Sequence, residues 1–154
     1  MSMSATVQHY LKQQGIHYEL VPHSHTESSM DAAAAAHVSA AKIAKPVILE
    51  DDNGYLMAVV PAHHHVQISK VNQMLNRHFG LATEQEINTL FSDCAEGAIP
   101  PVGQAYDMET IFDECLGECQ DLYLEAGDHE DLIHLASESY LRLMSKAPHG
   151  NISY

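Results

Sequence analysis

The segment 97–103 has the residue spacing that most clearly suggests chemistry. It reads Gly-Ala-Ile-Pro-Pro-Val-Gly, so Gly97 and Pro101 form a G-x-x-x-P pattern with a second proline and a second glycine beside it. Glycine adopts backbone conformations that are closed to other residues, and proline stiffens the chain. Such a loop can turn its backbone N–H groups toward a carbonyl or carboxylate of a ligand. The same composition also suits a rigid connection between strands, so both interpretations stay open.

Lys45 is the second candidate because it stands at the start of an apolar segment. Pro46 follows it, and then Val-Ile-Leu at 47–49. A lysine at the mouth of a pocket can bind an anionic or a carbonyl group. The alternative is an ordinary charged residue that flanks a strand.

The 12 histidines raise the question of a metal site. Three of them are consecutive at 63–65, and neighbouring side chains on a strand point to opposite faces, which suits zinc poorly. The sequence contains neither an HExxH nor a CxxC motif, and Gly117 weakens any helix between Cys115 and Cys119. We therefore predict no metal ligands and no cofactor. A metal-dependent hydrolase that uses the histidines remains an alternative.

Motifs of other enzyme classes are missing from the sequence. It has no glycine-rich phosphate loop and no G-x-S-x-G elbow. A serine or cysteine nucleophile with a base beside it cannot be assigned either.

The charge of the chain limits its partners. The 154 residues include 7 Lys and Arg against 21 Asp and Glu, a formal net charge of −14. Residues 1–77 have five basic and six acidic side chains, whereas residues 78–154 have two and fifteen. Because basic residues supply non-specific affinity for nucleic acid, this balance disfavours a broad grip on a phosphate backbone, and we expect no DNA partner. The acidic stretch 107–131 is interpreted as a solvated face, or alternatively as a surface that rejects wrong partners by charge.

Length and composition indicate one domain over residues 1–154 in a reducing compartment. The first residues lack the basic and apolar segments of a signal peptide, and no apolar stretch approaches the ~20 residues that span a bilayer. Three cysteines suggest no disulfide framework. We expect a cytoplasmic protein without a membrane partner.

The elements that must position these residues follow from periodicity and turn signals. Helices are predicted at 4–14, 30–36, 70–78 and 138–145, with Ser69 and Ser137 as N-caps of the last two, and a short helix follows a capping box at Thr83. Strands are predicted at 16–21, 45–50, 55–60, 65–68, 110–113, 121–125 and 132–135. The apolar segment 55–60 is typical of a central strand. Hairpins outnumber βαβ units, which predicts an α+β fold with a mixed, mostly antiparallel sheet and flanking helices.

Taken in order, these segments resemble the YbaK/prolyl-tRNA synthetase-associated domain family, free-standing relatives of the editing domain of bacterial prolyl-tRNA synthetases. The resemblance covers roughly residues 5–145. It is carried by Lys-Pro-Val-Ile-Leu at 45–49, Ala-Val-Val-Pro at 58–61, the loop 97–103, Phe-Asp-Glu at 112–114 and Leu-Tyr-Leu-Glu-Ala-Gly at 122–127. It implies a partly barrel-like sheet and hydrolysis of the ester that links a wrong amino acid to its tRNA. The implied partner is the 3′ end of a mischarged aminoacyl-tRNA, and delivery by an aminoacyl-tRNA synthetase stays open.

The resemblance also implies which residues form the site. Lys45 matches the family's functional lysine, which interacts near the 3′-terminal adenosine. Tyr18 falls where relatives often have a pocket aromatic, and His129 falls where some have a substrate-facing polar residue. The backbone that holds the aminoacyl carbonyl region matches four loop residues: Gly97, Ala98, Ile99 and Pro101.

An aminoacyl ester is already activated, so its hydrolysis needs positioning and oxyanion stabilisation more than a strong nucleophile. N–H groups of the loop 97–103 can supply the stabilisation, and a small pocket can select amino acids by size. In relatives a small polar residue often follows the lysine, whereas Pro46 stands here and has no N–H to donate. The competing interpretation is a non-catalytic module on the same fold that binds a small ligand or a protein.

Overall fold

The computed structural model describes residues 2–154, which form five α-helices, three short 3-10 helices and eight strands. The α-helices are α1 (Ala5–Gln13), α2 (Ser29–Ala35), α3 (Ile68–Leu75), α4 (Glu84–Leu90) and α5 (Ser137–Leu143). The 3-10 helices cover Ala40–Lys42, Gly103–Tyr106 and Glu114–Glu118. The strands are β1 (Glu19–Pro22), β2 (Ile43–Asp51), β3 (Gly54–Pro61), β4 (Gly80–Leu81), β5 (Glu109–Asp113), β6 (Asp121–Glu125), β7 (Asp131–Ala136) and β8 (His149–Gly150).

All eight strands belong to one mixed sheet. Seven follow the order β1-β7-β6-β2-β3-β5-β8, and β4 pairs with β2. The pairs β1–β7, β2–β3, β2–β4 and β6–β7 are antiparallel, while β2–β6, β3–β5 and β5–β8 are parallel. The predicted mixed, mostly antiparallel sheet with flanking helices is therefore confirmed. Over residues 2–154 the sheet stays open, because its end strands β1 and β8 do not pair with each other.

Strand β3 lies in the centre, as its apolar sequence predicts, with β2 on one side and β5 on the other. Side chains alternate between its two faces. Met57 and Val59 pack into the larger core, while Leu56, Ala58 and Val60 pack into a second core. The full burial of both faces explains why the strand reads as one apolar run.

Strand β2 has a gap in its pairing on the side away from β3. On that side it pairs with β6 at residues 43–44 and with β4 at residues 49–50. Residues 45–48 in between have no strand partner there. The gap leaves Lys45 and its neighbours on an open stretch of sheet edge.

Pro46 fits this open stretch. The carbonyl of Ile48 accepts a hydrogen bond from Ala82 N at 3.0 Å, so the backbone groups of Ile48 face the gap. Backbone groups two residues apart on a strand point the same way, so those of Pro46 face the gap as well. Because proline has no N–H, it leaves no unpaired donor there.

Some predicted elements are wrong in detail. The segment 65–68 forms one isolated bridge, Val66 with Ser153, and α3 begins at Ile68 with Gln67 as N-cap, so Ser69 is not the cap. Ser137 is the first residue of α5 and not its cap. The capping box at Thr83 is confirmed, because Thr83 and Glu86 exchange both hydrogen bonds. No helix within residues 2–154 is long and apolar enough to cross a membrane.

Candidate active site

A cavity of about 360 Å³ opens at the gap in β2 and joins the two candidates from the sequence. Lys45 lines it from β2, and Gly97 and Ile99 line it from the loop between α4 and β5. Its apolar lining includes Val47, Ile48, Leu81, Ala82 and Ile87, and its polar lining includes Glu27, Ser28, Ser29 and Glu84. Two residues predicted for substrate binding therefore share one cavity with the predicted lysine.

The loop that follows β3 holds Lys45 in place. Lys45 Nζ donates to the carbonyl of His64 at 2.6 Å and to that of Ala62 at 3.2 Å. Partial burial lowers the pKa of the Lys45 amine from its ordinary value. An ammonium has three protons, so two bonds to carbonyls leave a third proton for a ligand.

The G-x-x-x-P loop has, within residues 2–154, two backbone donors without a protein partner, at residues that line the same cavity. The N–H of Ala98 donates to Ala95 O at 3.1 Å, and the prolines at 100–101 have no N–H. Within residues 2–154 the N–H groups of Gly97 and Ile99 have no protein acceptor. Gly97 has a φ of +81°, a left-handed conformation that favours glycine. The sequence motif thus produces two free donors rather than a continuous row.

The other predicted site residues lie behind or away from the cavity. Ala98 is fully buried, and Pro101 is buried with its carbonyl accepting the Tyr140 hydroxyl at 2.7 Å. His129 is 3% exposed, and its Nε2 donates to the carbonyl of Glu96 directly before the loop. Tyr18 lines a separate depression beside β7, with its hydroxyl 3.9 Å from the Met3 sulfur. The structure does not bring Tyr18 to the cavity.

The sequence model of the aminoacyl-tRNA editing domain family matches residues 23–143, which include both cavity walls. The chain belongs to this family. A search among curated proteins found no match.

Solved structures resemble the editing domain closely in fold. A candidate trans-editing enzyme for prolyl-tRNA synthetase superposes with a TM-score of 0.86 at 23% identity, over 100% of this chain and 99% of that one. The crystal structure of hypothetical protein APE2540 gives 0.86 at 22% identity, over 97% and 99% of the two chains. A candidate signal transduction protein from Marinobacter aquaeolei VT8 gives 0.80 at 18% identity, and the match covers 99% of this chain but 31% of that one.

Behind the G-x-x-x-P loop the editing domain buries carboxylates that the sequence placed on a solvated face. Glu125 is 0% exposed, and burial, followed by the charge of Asp128, raises the pKa of its carboxyl to about 8. Asp128 is 1% exposed, and its Oδ1 accepts the N–H groups of Glu130 and Asp131. The interpretation of 107–131 as a solvated face is therefore wrong for these residues. The signal lay in their apolar neighbours, since Glu125 follows Leu-Tyr-Leu on β6.

The histidine run places one of its members in a hydrogen-bonded cluster. Donor atoms of His64, Asp113 and Cys115 all lie within 4.8 Å of one another. Two of these groups already have partners. Asp113 accepts from the backbone N–H of Cys115 and of Ile152, and from the hydroxyl of Ser153, and His64 Nδ1 lies 2.9 Å from the Ser153 hydroxyl. Burial, and then Asp113, raise the pKa of the Cys115 thiol to about 12, which favours its protonated form. The arrangement therefore favours a hydrogen-bond network over a metal centre.

Proposed function

We propose that this editing domain is a trans-acting aminoacyl-tRNA deacylase, which hydrolyses the ester between a wrong amino acid and the 3′ end of its tRNA. The observation that supports it best is that Lys45, Gly97 and Ile99 line one cavity, and that within residues 2–154 the N–H groups of Gly97 and Ile99 have no protein acceptor. Membership of the editing family supports the substrate class.

In this proposal the backbone donors act on the reacting carbonyl. Attack by water on the ester places negative charge on the carbonyl oxygen, and the N–H groups of Gly97 and Ile99 stabilise that charge. Because neither N–H group has a protein acceptor within residues 2–154, no protein hydrogen bond has to break before it binds the oxyanion. A ribose hydroxyl of the substrate helps to activate the water, so the protein supplies no nucleophile of its own.

Lys45 holds the substrate end against these donors. Its third ammonium proton is available to an oxygen of the terminal adenosine, while the carbonyls of Ala62 and His64 fix the nitrogen. Holding the ester in an attack geometry is a large part of the catalysis expected for an activated substrate.

The shape and charge of the cavity favour a small amino acid. Its volume of about 360 Å³ is near the lower end of the 300–1,000 Å³ that is typical, as an approximate range, of ligand sites. The carboxylates of Glu27 and Glu84 at its border attract the α-ammonium of the aminoacyl group. We therefore expect small side chains such as that of alanine to be removed, and bulky ones to be excluded by size.

Recognition of the tRNA is expected to involve few phosphates. Residues 78–154 have two basic and fifteen acidic side chains, so they repel a polyanion. We expect weak affinity for free tRNA and a shallow dependence of the binding constant on salt. A steep dependence, like that of a protein with about eight phosphate contacts, would contradict this mode of recognition.

A panel of misacylated tRNAs tests the proposal. tRNAs carrying alanine, cysteine or serine are incubated with the wild type, with Lys45→Ala, and with Lys12→Ala on the exposed side of α1 as the matched control. We expect wild-type and Lys12→Ala to release amino acid from at least one tRNA, and Lys45→Ala to be about 100-fold slower with an unchanged melting temperature.

Other results of the panel support different functions. Full activity of Lys45→Ala rejects the role given to this lysine. Loss of wild-type activity with a chelator favours a metal-dependent hydrolase. Failure of the wild type on every substrate favours a binding module.

A further inference from the structure

The loop that holds Lys45 is itself clamped by residues 152–154. Val66 and Ser153 form an antiparallel bridge between the two segments. Three backbone hydrogen bonds accompany it: Gln67 N to Ile152 O at 2.6 Å, His65 N to Tyr154 O at 2.8 Å, and Tyr154 N to His65 O at 3.0 Å. The carbonyls that accept hydrogen bonds from Lys45 therefore belong to a loop that residues 152–154 hold in place.

A chain of side chains reinforces this clamp. The Ser153 hydroxyl donates to Asp113 Oδ2 at 2.6 Å and lies 2.9 Å from His64 Nδ1. A hydroxyl has one proton, and this one goes to the carboxylate, so Ser153 must accept from His64 Nδ1–H. The donation runs from His64 through Ser153 to Asp113. Ser153 is 6% exposed and Asp113 is 3% exposed, so water competes little with these bonds.

Asp113, the last member of this chain of side chains, stays ionised. Burial alone would raise the pKa of Asp113, but hydrogen bonds from Cys115, Ser153 and the backbone of Ile152 bring it below its ordinary value. A carboxylate at the end makes the bond from the Ser153 hydroxyl charge-assisted, and such bonds are shorter and stronger than neutral ones.

We propose that Asp113 and Ser153 are positioning residues for Lys45, which act by fixing His64. The side chain of His64 joins their chain, and its carbonyl accepts Lys45 Nζ at 2.6 Å. This inference rests on the proposed function only for its effect on catalysis. The hold on the ammonium can be measured without any substrate.

The hydrogen-bonded chain restricts the conformational freedom of the Lys45 side chain. Its four-carbon stem has considerable rotamer freedom, so an unrestrained ammonium spreads over many positions. A displacement of about 1 Å can cost about 100-fold in rate. Acceptors in a rigid loop hold the nitrogen where the substrate needs it.

Substitutions at Ser153 provide the test. Ser153→Ala removes the hydroxyl that links His64 to Asp113, and Ser153→Thr restores it. Ser137→Ala is the matched control, because Ser137 is a buried serine (4% exposed) whose hydroxyl has no partner within residues 2–154. All variants are compared by thermal unfolding, by deacylation kinetics, and by the exchange of lysine ammonium protons with water in ¹⁵N-lysine-labelled protein, which contains five lysines.

We expect Ser153→Ala to lower kcat by about tenfold with little change in KM. We also expect its Lys45 ammonium protons to exchange several-fold faster, with both effects reversed in Ser153→Thr and absent in Ser137→Ala. Wild-type exchange at Lys45 in Ser153→Ala would overturn the inference, whatever its kinetics. If the wild type deacylates no tRNA, the proposed function fails, but the exchange measurement still decides whether the chain holds Lys45.

Discussion

Two parts of the site satisfy their polar groups very differently. One is the lysine wall, which is β2 with the loop that follows β3. The other is the loop wall, which is the loop 97–103 with the buried residues behind it. On the lysine wall, Lys45 Nζ has two acceptors, and the side chains of His64, Ser153 and Asp113 form a chain that ends on a carboxylate. Behind the loop 97–103, within residues 2–154, buried polar atoms of His129, Glu125 and Asp128 have no partner: Nδ1, both Oε atoms and Oδ2 respectively.

This difference distinguishes a rigid side of the site from a side with unsatisfied polar groups. A network with every member bonded holds one geometry, whereas a buried polar atom without a partner costs free energy. Such costs concentrate where a protein also has to bind or react. The lysine wall is therefore the part of the site with one fixed geometry. The loop wall is the part whose buried carboxylates can bind protons and whose backbone can shift.

The strongest test of the comparison is the pH dependence of stability in Glu125→Gln. The folded pKa of Glu125, about 8, exceeds its unfolded value, so its contribution is fully present below about pH 4 and is lost as the pH rises through 8. Glutamine cannot ionise. Across that window we expect the free energy of unfolding of Glu125→Gln to rise relative to wild type by up to about 1.4 kcal/mol per pH unit.

Chemical denaturation at several pH values measures this difference. Glu118→Gln is the control, because it removes a carboxylate at an exposed position. A difference for Glu125→Gln that is flat between pH 5 and 9 would show that the loop wall holds no proton.

Gly97→Ala should produce the next largest effect. The φ of +81° at Gly97 costs a residue with a Cβ about 1–2 kcal/mol, and the added Cβ would lie 3.4 Å from Glu27 O and 3.5 Å from His129 Cε1. We expect that loss of stability and a fall in kcat of up to about 100-fold, because the donor at Gly97 shifts.

Gly117→Ala provides the comparison for this substitution. Gly117 has no positive φ, and its Cβ would make an ordinary contact with Leu141 at 3.6 Å. Equal kinetics for Gly97→Ala and Gly117→Ala would remove the loop from the proposed mechanism.

Tyr140→Phe should give the smallest effect. The hydroxyl of this fully buried tyrosine donates to Pro101 O at 2.7 Å, so its removal leaves a buried carbonyl without that donor. We expect a loss of about 1 kcal/mol in the free energy of unfolding. Tyr154→Phe, at a residue 68% exposed, should cost nothing measurable. A cost at Tyr140 as small as that at Tyr154 would show that the loop wall does not depend on this bond.

The elements that could be predicted from the sequence are those whose signals lie within a few consecutive residues. The capping box at Thr83 and the central strand β3 have signals within a few residues, and both are confirmed. Strands β4 and β8 have two residues each, too short to show a period of two. The meeting of Lys45 with Gly97 came from the family resemblance, since no local pattern connects residues 52 positions apart.

The clamp on Lys45 could not have been predicted in this way. His64 and Ser153 are 89 positions apart, and Asp113 and Ser153 are 40 apart, so the chain exists only after the sheet brings them together. Glu125 was misread for a different reason. Its charge outweighed the apolar residues beside it, although Leu122, Leu124 and Ala126 around it are fully buried.

The gap in β2 also bears on solubility. Within residues 2–154, residues 45–48 have no strand partner on the side of β2 away from β3, and only the Ile48 carbonyl is bonded there, to Ala82 N. Such an edge is a template on which another polypeptide could add itself and begin aggregation. Lysine and proline are the residue types that natural sheets use against such growth, and both stand in the gap, as Lys45 and Pro46. The residues that shape the substrate cavity thus also keep this edge from recruiting a strand of a neighbouring molecule.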